Sequence, residues 1–165
     1  MELGNEFSVG QKAVYRSDGV GTIETIESRD IGGSKQEFYV LKIHATGLKV
    51  MVPTRAARTF GLRSVITPPE VERIYDILKS PSKKSSATWN RRYRALTEKL
   101  NTGNLEEIAE VLRDLSNLRN DKELSFGEKK MLERARNMLI FEISAAKNKD
   151  KTEVERELNH ILFPV

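Results

Sequence analysis

The spacing of apolar residues changes once along this chain, and that change limits what it can fold into. Residues 9–66 hold four runs, QKAVYRS, GTIETIESRDI, QEFYVLKIHA and LKVMVPTR, rich in Val, Ile, Tyr, Phe and Thr. Partial alternation within them sends successive side chains to opposite faces, as in a strand. Asp18-Gly19, Gly32-Gly33 and Thr46-Gly47 separate the runs as turn signals. Ile23 and Ile26 break strict alternation, which predicts a bulge or a strong bend. Four or five short strands in fewer than 70 residues are too few for a sandwich. They suit a small bent sheet closing into an SH3-like or Tudor-like β-barrel.

From Thr67 onward the apolar period is that of helices. Thr67-Pro-Pro-Glu70, Asn104-Leu-Glu-Glu107, Ser125-Phe-Gly-Glu128 and Thr152-Glu-Val-Glu155 share the spacing of a helix N-cap followed by a capping acid. Gly103 suits the left-handed position after a helix end. Five helices are predicted, at 68–79, 86–101, 104–119, 125–147 and 152–162, with Leu132, Ala135, Leu139, Phe141 and Ile143 forming the apolar face of the longest. Short connections favour antiparallel neighbours and a compact all-α domain. The chain is thus α+β overall, with two domains, 1–66 and 67–165. A second flexible point is expected at KSPSKKSS, where Pro81 stops a helix and the serines form helix poorly.

Composition narrows the chemistry. The 165 residues contain no cysteine, which removes disulfides, thiolate zinc sites and thiol nucleophiles and fits a reducing compartment. The start of the chain has no apolar stretch of the signal-peptide kind, and no apolar run approaches the roughly 18 residues of a membrane span. A cytoplasmic protein is expected. The only histidines, His44 and His160, are far apart in sequence, and a general base needs an oriented partner. No phosphate-cradling glycine motif or metal-ligand spacing occurs. Glu128 and Glu133 among Lys129, Lys130, Arg134 and Arg136 have the spacing of solvated i,i+4 pairs. No catalysis, cofactor, metal or small-molecule substrate is expected.

Charge is segregated. Net charge is +4, yet residues 79–94 hold six basic residues (Lys79, Lys83, Lys84, Arg91, Arg92, Arg94) and no acid, while the rest of 68–165 sums to −4. Arg and Lys neutralise phosphates and release condensed counterions without reading base sequence. Trp89, the only tryptophan, lies inside this block, in SSATWNRRYRALTEKL. Trp89, Tyr93, Leu96 and Leu100 fall at i, i+4, i+7 and i+11, one stripe of a helix, and such a stripe is usually core. An aromatic beside arginines also suits stacking on a base or wedging a step apart. Spacing alone leaves both roles open for Trp89.

The order of motifs resembles the CarD/CdnL family of bacterial RNA polymerase-binding transcription regulators. AVYRSDGVGTIETIESRDIGG is similar to the family's opening segment, FYVLKI and LKVMVP to its next two strands, and GLRSVI to the segment that closes its barrel. TWNRRYRALTEKL resembles the signature helix and LSFGEKKMLERARNMLIFEI the long C-terminal helix, so the resemblance covers nearly all of the chain. It implies an N-terminal domain that binds the polymerase β subunit, largely by adding a sheet edge. The contact positions fall on Arg29, Ile31, Met51 and Pro53. Relatives are often basic where this chain has Met51, which suggests packing there instead of charge. Pro53 cannot donate to a ladder and argues for an edge strand.

For the helical domain the resemblance implies contact with promoter DNA at the upstream edge of the transcription bubble. Trp89 occupies the wedge position and Arg91, Arg92 and Arg94 the basic ones, while Lys83 and Lys84 are candidates by charge alone. A monomer that stabilises the open promoter complex is the expected function. Two rivals are a general nucleic-acid-binding module and a protein–protein adaptor that work without polymerase.

Overall fold

The computed structural model describes residues 6–82 and 88–164. The chain divides between Val65 and Ile66 into two compact units. Five strands form the first: β1 (Lys12–Tyr15), β2 (Gly19–Ile31), β3 (Ser34–Ile43), β4 (Lys49–Pro53) and β5 (Leu62–Ser64). All pairings are antiparallel, in the order β4-β3-β2-β1-β5. Gly32 and Gly33, with φ of +58° and +84°, turn the β2–β3 hairpin in a two-residue loop closed by the Ile31–Ser34 pair. Positive φ at both positions is what such a tight turn requires.

The expected irregularity lies where Ile23 and Ile26 placed it. Ile23 pairs with Leu41 and Thr25 with Val40, so Glu24 is the extra residue of a bulge. Directly opposed residues share a face. The bulge therefore brings Ile23 and Ile26, the latter opposite Tyr39, to the same side. That side is the core, built from Phe7, Ala13, Ile23, Tyr39, Leu41, Ile43, Val52, Ala57 and Leu62. Val52 on β4 and Leu62 on β5 come from opposite ends of the sheet. In a flat five-strand sheet those strands would stand about 19 Å apart, so their shared cluster requires the sheet to roll into the expected barrel form. The Phe7 ring meets Tyr39 edge-on at 5.6 Å, and the Phe7 N–H donates to the Tyr39 hydroxyl at 3.1 Å.

The second unit holds α1 (Pro68–Lys79), α2 (Trp89–Asn101), α3 (Leu105–Asp121), α4 (Phe126–Lys147) and α5 (Lys151–Leu162). Asn104 Oδ1 accepts the N–H groups of Glu106 and Glu107, and Ser125 with Glu128 forms the expected reciprocal capping box. Gly103, at φ +71°, follows the end of α2. Two starts differ from expectation. α2 begins at Trp89, because Thr88 is its N-cap and accepts the Arg91 N–H at 3.4 Å. α5 is capped by Asp150, whose carboxylate takes the Thr152 N–H at 3.2 Å, so Thr152 lies inside the helix. α1 ends at Lys79, just before Pro81, as the steric demand of a proline on its predecessor favours. The flexible point expected around residues 79–86 extends beyond Ser82, outside the described residues.

Val71, Ile74, Leu78, Leu96, Leu100, Ile108, Leu112, Leu115, Leu139, Ile143, Val154 and Leu158 build one core from all five helices. On α4 the buried face is Glu128, Met131, Ala135, Leu139, Ile140, Glu142 and Ile143. Phe141, expected in that face, is only partly buried and carries the Lys151 ammonium 3.9 Å above its ring. Glu142 is 2% exposed, and its Oε2 accepts the Ile66 N–H at 3.0 Å, which fixes the entry of the chain into the helical unit. Among the described residues no helix is long and apolar enough to cross a membrane, and no cluster of His, Asp or Glu suits a metal ion.

Two predictions follow from packing and charge. A Cβ on Gly21 would lie 2.6 Å from the Lys42 carbonyl oxygen and 2.8 Å from the Leu41 side chain, so backbone must move to admit it. Gly21→Ala is expected to destabilise the sheet unit by about 1–3 kcal/mol, read from urea unfolding. Glu157 accepts bonds from Lys149, Tyr75 and Lys147. Burial opposes its ionisation, but those partners outweigh it and hold the carboxyl at about 2. Its contribution is therefore complete above the ordinary carboxylate range and is lost as pH falls toward 2. The stability difference between wild type and Glu157→Gln should be constant from pH 7 to about 5 and shrink below that.

Candidate functional site

The sheet unit presents one face to its core; the other carries buried Val14, Val20 and Val40 beside exposed side chains. Register determines which residues share the outer face. Ile31 opposes Ser34, Arg29 opposes Gln36, Glu27 opposes Phe38 and Phe38 opposes Pro53; Thr25 opposes Val40, which opposes Met51. These positions alternate with Tyr39, Leu41 and Val52 of the core. Arg29, Ile31, Met51 and Pro53 thus lie together on the outer face, two near the tip of the β2–β3 hairpin and two on β4. Ile31 is 49% and Met51 38% exposed, with half-buried Phe38 and buried Val40 between them. Arg29 pairs with Glu27 at 3.3 Å, both side chains well exposed. Such a pair contributes about 0–1 kcal/mol, so its guanidinium is easily recruited by another acid. β4 lies at the sheet's edge, the place Pro53 calls for.

The helical unit gathers a second set of side chains where α2 and α4 begin. Trp89 is the first residue of α2 and is 46% exposed. Its indole stacks on Tyr93, centroids 5.2 Å apart and planes 24° from parallel. Tyr93 is half-buried against the helical core, while Leu96 and Leu100 are buried in it. The stripe read from the sequence therefore leaves the core at its first member. Tyr93 lies over Gly127 of α4: a Cβ there would be 2.9 Å from its ring and 3.1 Å from its hydroxyl. No other residue type leaves room for that approach without displacing the ring.

The three arginines have different surroundings. A helix turns about 100° per residue, which puts Arg91 and Arg94 about 200° and 140° around α2 from Trp89, and Arg92 about 60° to its other side. Arg91 and Arg94 are exposed. Arg92 is 29% exposed at the side chain and stands 4.0 Å from Glu128 Oε2. Glu128, read from its spacing as part of a solvated pair, is 2% exposed. Burial opposes its charge, but the Ser125 N–H and hydroxyl, then Lys122 and Arg92, prevail and hold the carboxyl below its ordinary range. Trp89 and the exposed arginines therefore share no flat face. They surround the N-terminal end of α2, where the helix dipole is positive. Lys83 and Lys84 lie outside the described residues.

The same corner holds a residue the sequence did not single out. Phe126 opens α4, is 75% exposed, and has the Lys130 ammonium 4.6 Å from its ring centre. Its spacing from Met131 and Ala135 sets it off the buried face of α4, a signal the sequence reading did not use.

Comparison with known proteins separates at the same boundary as the structure. The model of the CarD C-terminal domain matches residues 73–159, and that of the CarD-like/TRCF RID domain matches residues 7–66. The chain belongs to the CarD family. A curated relative from Bacillus subtilis (strain 168), named "Putative transcription factor YdeB", is 34% identical over 141 residues, 86% of this chain and 92% of that protein. Among solved structures, CdnLNt from Myxococcus xanthus is 38% identical over 40% of this chain and 93% of its own, with a TM-score of 0.32. The solution structure of the 72-residue N-terminal domain of Myxococcus xanthus CarD is 27% identical over 38% and 84% of the two chains, with a TM-score of 0.32. Membership in the CarD family makes this chain a transcription regulator.

The close approach of Tyr93 to Gly127 carries a prediction. In Gly127→Ala the added methyl gains helix propensity of about 1 kcal/mol but collides with the outer end of a movable ring. Net stability should change by less than about 1 kcal/mol while the Trp89–Tyr93 stack shifts. Emission from Trp89, the only tryptophan, should change in wavelength and quenching. An unchanged spectrum would show that the stack does not depend on this contact.

Proposed function

We propose that this CarD-family chain docks on the RNA polymerase β subunit through residues 1–66 and, through residues 67–165, braces the separated promoter strands at the upstream edge of the bubble. The observation that carries this reading is Trp89, half-exposed yet held in place by its stack on Tyr93, at the start of a helix ringed by Arg91, Arg92 and Arg94. A flat aromatic fixed in solvent beside cations suits an unpaired base and its phosphates.

Docking rests on the outer face that holds Arg29, Ile31, Met51 and Pro53, next to the edge of β4. A strand added to that edge gains main-chain bonds, and side chains on the face select the partner. Exposed Ile31 and Met51 supply apolar contact and Arg29 supplies charge. Lys83 and Lys84 join the DNA-contacting set on charge alone.

Trp89 acts as a wedge. If it contacts DNA only in the open complex, a base–aromatic stack of about 1–3 kcal/mol slows bubble collapse by about five- to 150-fold. Contact made equally in closed and open complexes would shift nothing between them. Phosphate contacts position without specifying, so the action tolerates sequence. With few phosphates engaged, DNA affinity of the chain alone is weak and salt-sensitive, and attachment to polymerase supplies effective concentration.

Two variants test the halves separately. Trp89→Ala should keep the unfolding midpoint near wild type and lose the open-complex lifetime gain. Collapse of the helical unit would instead assign Trp89 to the core. Arg29→Glu should abolish co-purification with polymerase, with or without nuclease, and leave helical stability unchanged. Survival of the complex would place the docking surface elsewhere.

A further inference from the structure

We infer that Phe126 is a second aromatic contact to an unpaired promoter base, beside Trp89; this deepens, and rests on, the reading of Trp89 as a DNA wedge. At 75% exposure Phe126 is the most exposed large apolar side chain among the described residues. The start of α4 does not need it. Ser125 and Glu128 cap the helix, and Leu124 and Met131 supply the buried apolar side chains on either side. One exposed apolar side chain is ordinary by itself; what sets Phe126 apart is its place among the aromatics and cations at the starts of α2 and α4.

Its neighbours indicate which partner. Gly127, the next residue, lies against Tyr93, and Tyr93 carries the Trp89 stack, so Phe126 adjoins the residue on which the proposed wedge's stacking partner rests. The ring already accepts one cation, Lys130, at 4.6 Å. Arg91, Arg92, Arg94, Lys122, Lys129 and Lys130 lie along the beginning of α2 and around that of α4. Against these six cations stand three carboxylates, Asp121, Glu123 and Glu128, the last two paired with Lys129, Lys122 and Arg92, which leaves an excess of positive charge. An acidic polymer with flat apolar units fits this combination, and single-stranded nucleic acid is recognised by aromatic platforms set among cations. In duplex DNA a ring reaches a base face only by prising a step apart, at a cost of a few kcal/mol, whereas strand separation has already exposed it, so the favoured partner is an unpaired base. Two aromatic residues at the starts of two packed helices engage separate bases, or both sides of one step.

The test uses the full chain bound to RNA polymerase on a promoter. Open-complex lifetime is measured after competitor challenge for wild type, Trp89→Ala, Phe126→Ala and Phe126→Trp. Phe126→Ala should shorten the lifetime by at least about five-fold, the lower end for a lost base–aromatic stack. Polymerase co-purification and the unfolding midpoint should not change, and Phe126→Trp should restore the lifetime. Removing the bases at the upstream fork one at a time should abolish the difference between wild type and Phe126→Ala at one position. If Trp89→Ala shortens the lifetime and Phe126→Ala does not, Phe126 is no contact and the wedge reading survives. If neither shortens it, both readings fail. A Phe126→Ala defect that persists at every abasic position contradicts base stacking.

Discussion

The Tyr93 ring lying on the backbone of Gly127 determines what the helical unit shows to solvent. It brings the start of α2 against the start of α4. Below it, Leu96 and Leu100 enter the core; above it, Trp89 has a surface to stack on without being covered. Beside it, the buried Glu128 carboxylate receives the Ser125 cap and stands within ion-pair distance of Arg92 and Lys122. An unpaired carboxylate in this position would be costly, so the cap and the two cations are tied to one another. Trp89 consequently rests on a packed ring instead of standing free at a frayed helix end. Side chains held by packing before they meet a partner lose little freedom on binding.

The sheet unit meets a different constraint. Its long β2–β3 hairpin runs beyond the strands that cover it: β1 pairs with β2 only as far as Thr22, and β4 with β3 only from Phe38 onward. The tip therefore stands as a two-stranded arm whose outer face, with Ile31 and Arg29, continues onto β4 through Phe38 and Met51. The bulge at Glu24 lets one strand serve both a tightly rolled core and this arm. It resets the alternation so that Ile23 and Ile26 both point inward.

Much of this was legible because local rules and tertiary packing agree. Gly32-Gly33, the Ile23/Ile26 irregularity and the caps at Asn104 and Ser125 each need only neighbouring residues to express their preference. The boundary near residue 66 follows from the change of period. Other features depend on what lies across the fold. α2 begins at Trp89 because Thr88 takes the cap, yet Ser85 and Ser86 are equally competent caps by type. Glu128 among lysines has the same spacing whether solvated or buried, and only the approach of α2 decides it. Phe126 lies about 140° and 180° around α4 from Met131 and Ala135, so its spacing already sets it off the core face, but nothing along the chain tells which neighbours it meets there. Phe141 fails as a core residue because α4 turns that side toward Lys151. The split of the Trp89 stripe between core and solvent depends likewise on where α4 begins, which spacing along α2 does not encode.

The central claim is a contact between Trp89 and unpaired promoter DNA. It is tested most directly by placing a photo-crosslinking amino acid at position 89 and mapping its products in the polymerase–promoter complex. The mechanism predicts crosslinks to bases at the upstream edge of the bubble, present in open complexes and absent from closed ones. Crosslinks confined to this chain or to polymerase, or DNA products equally strong in closed complexes, would contradict it.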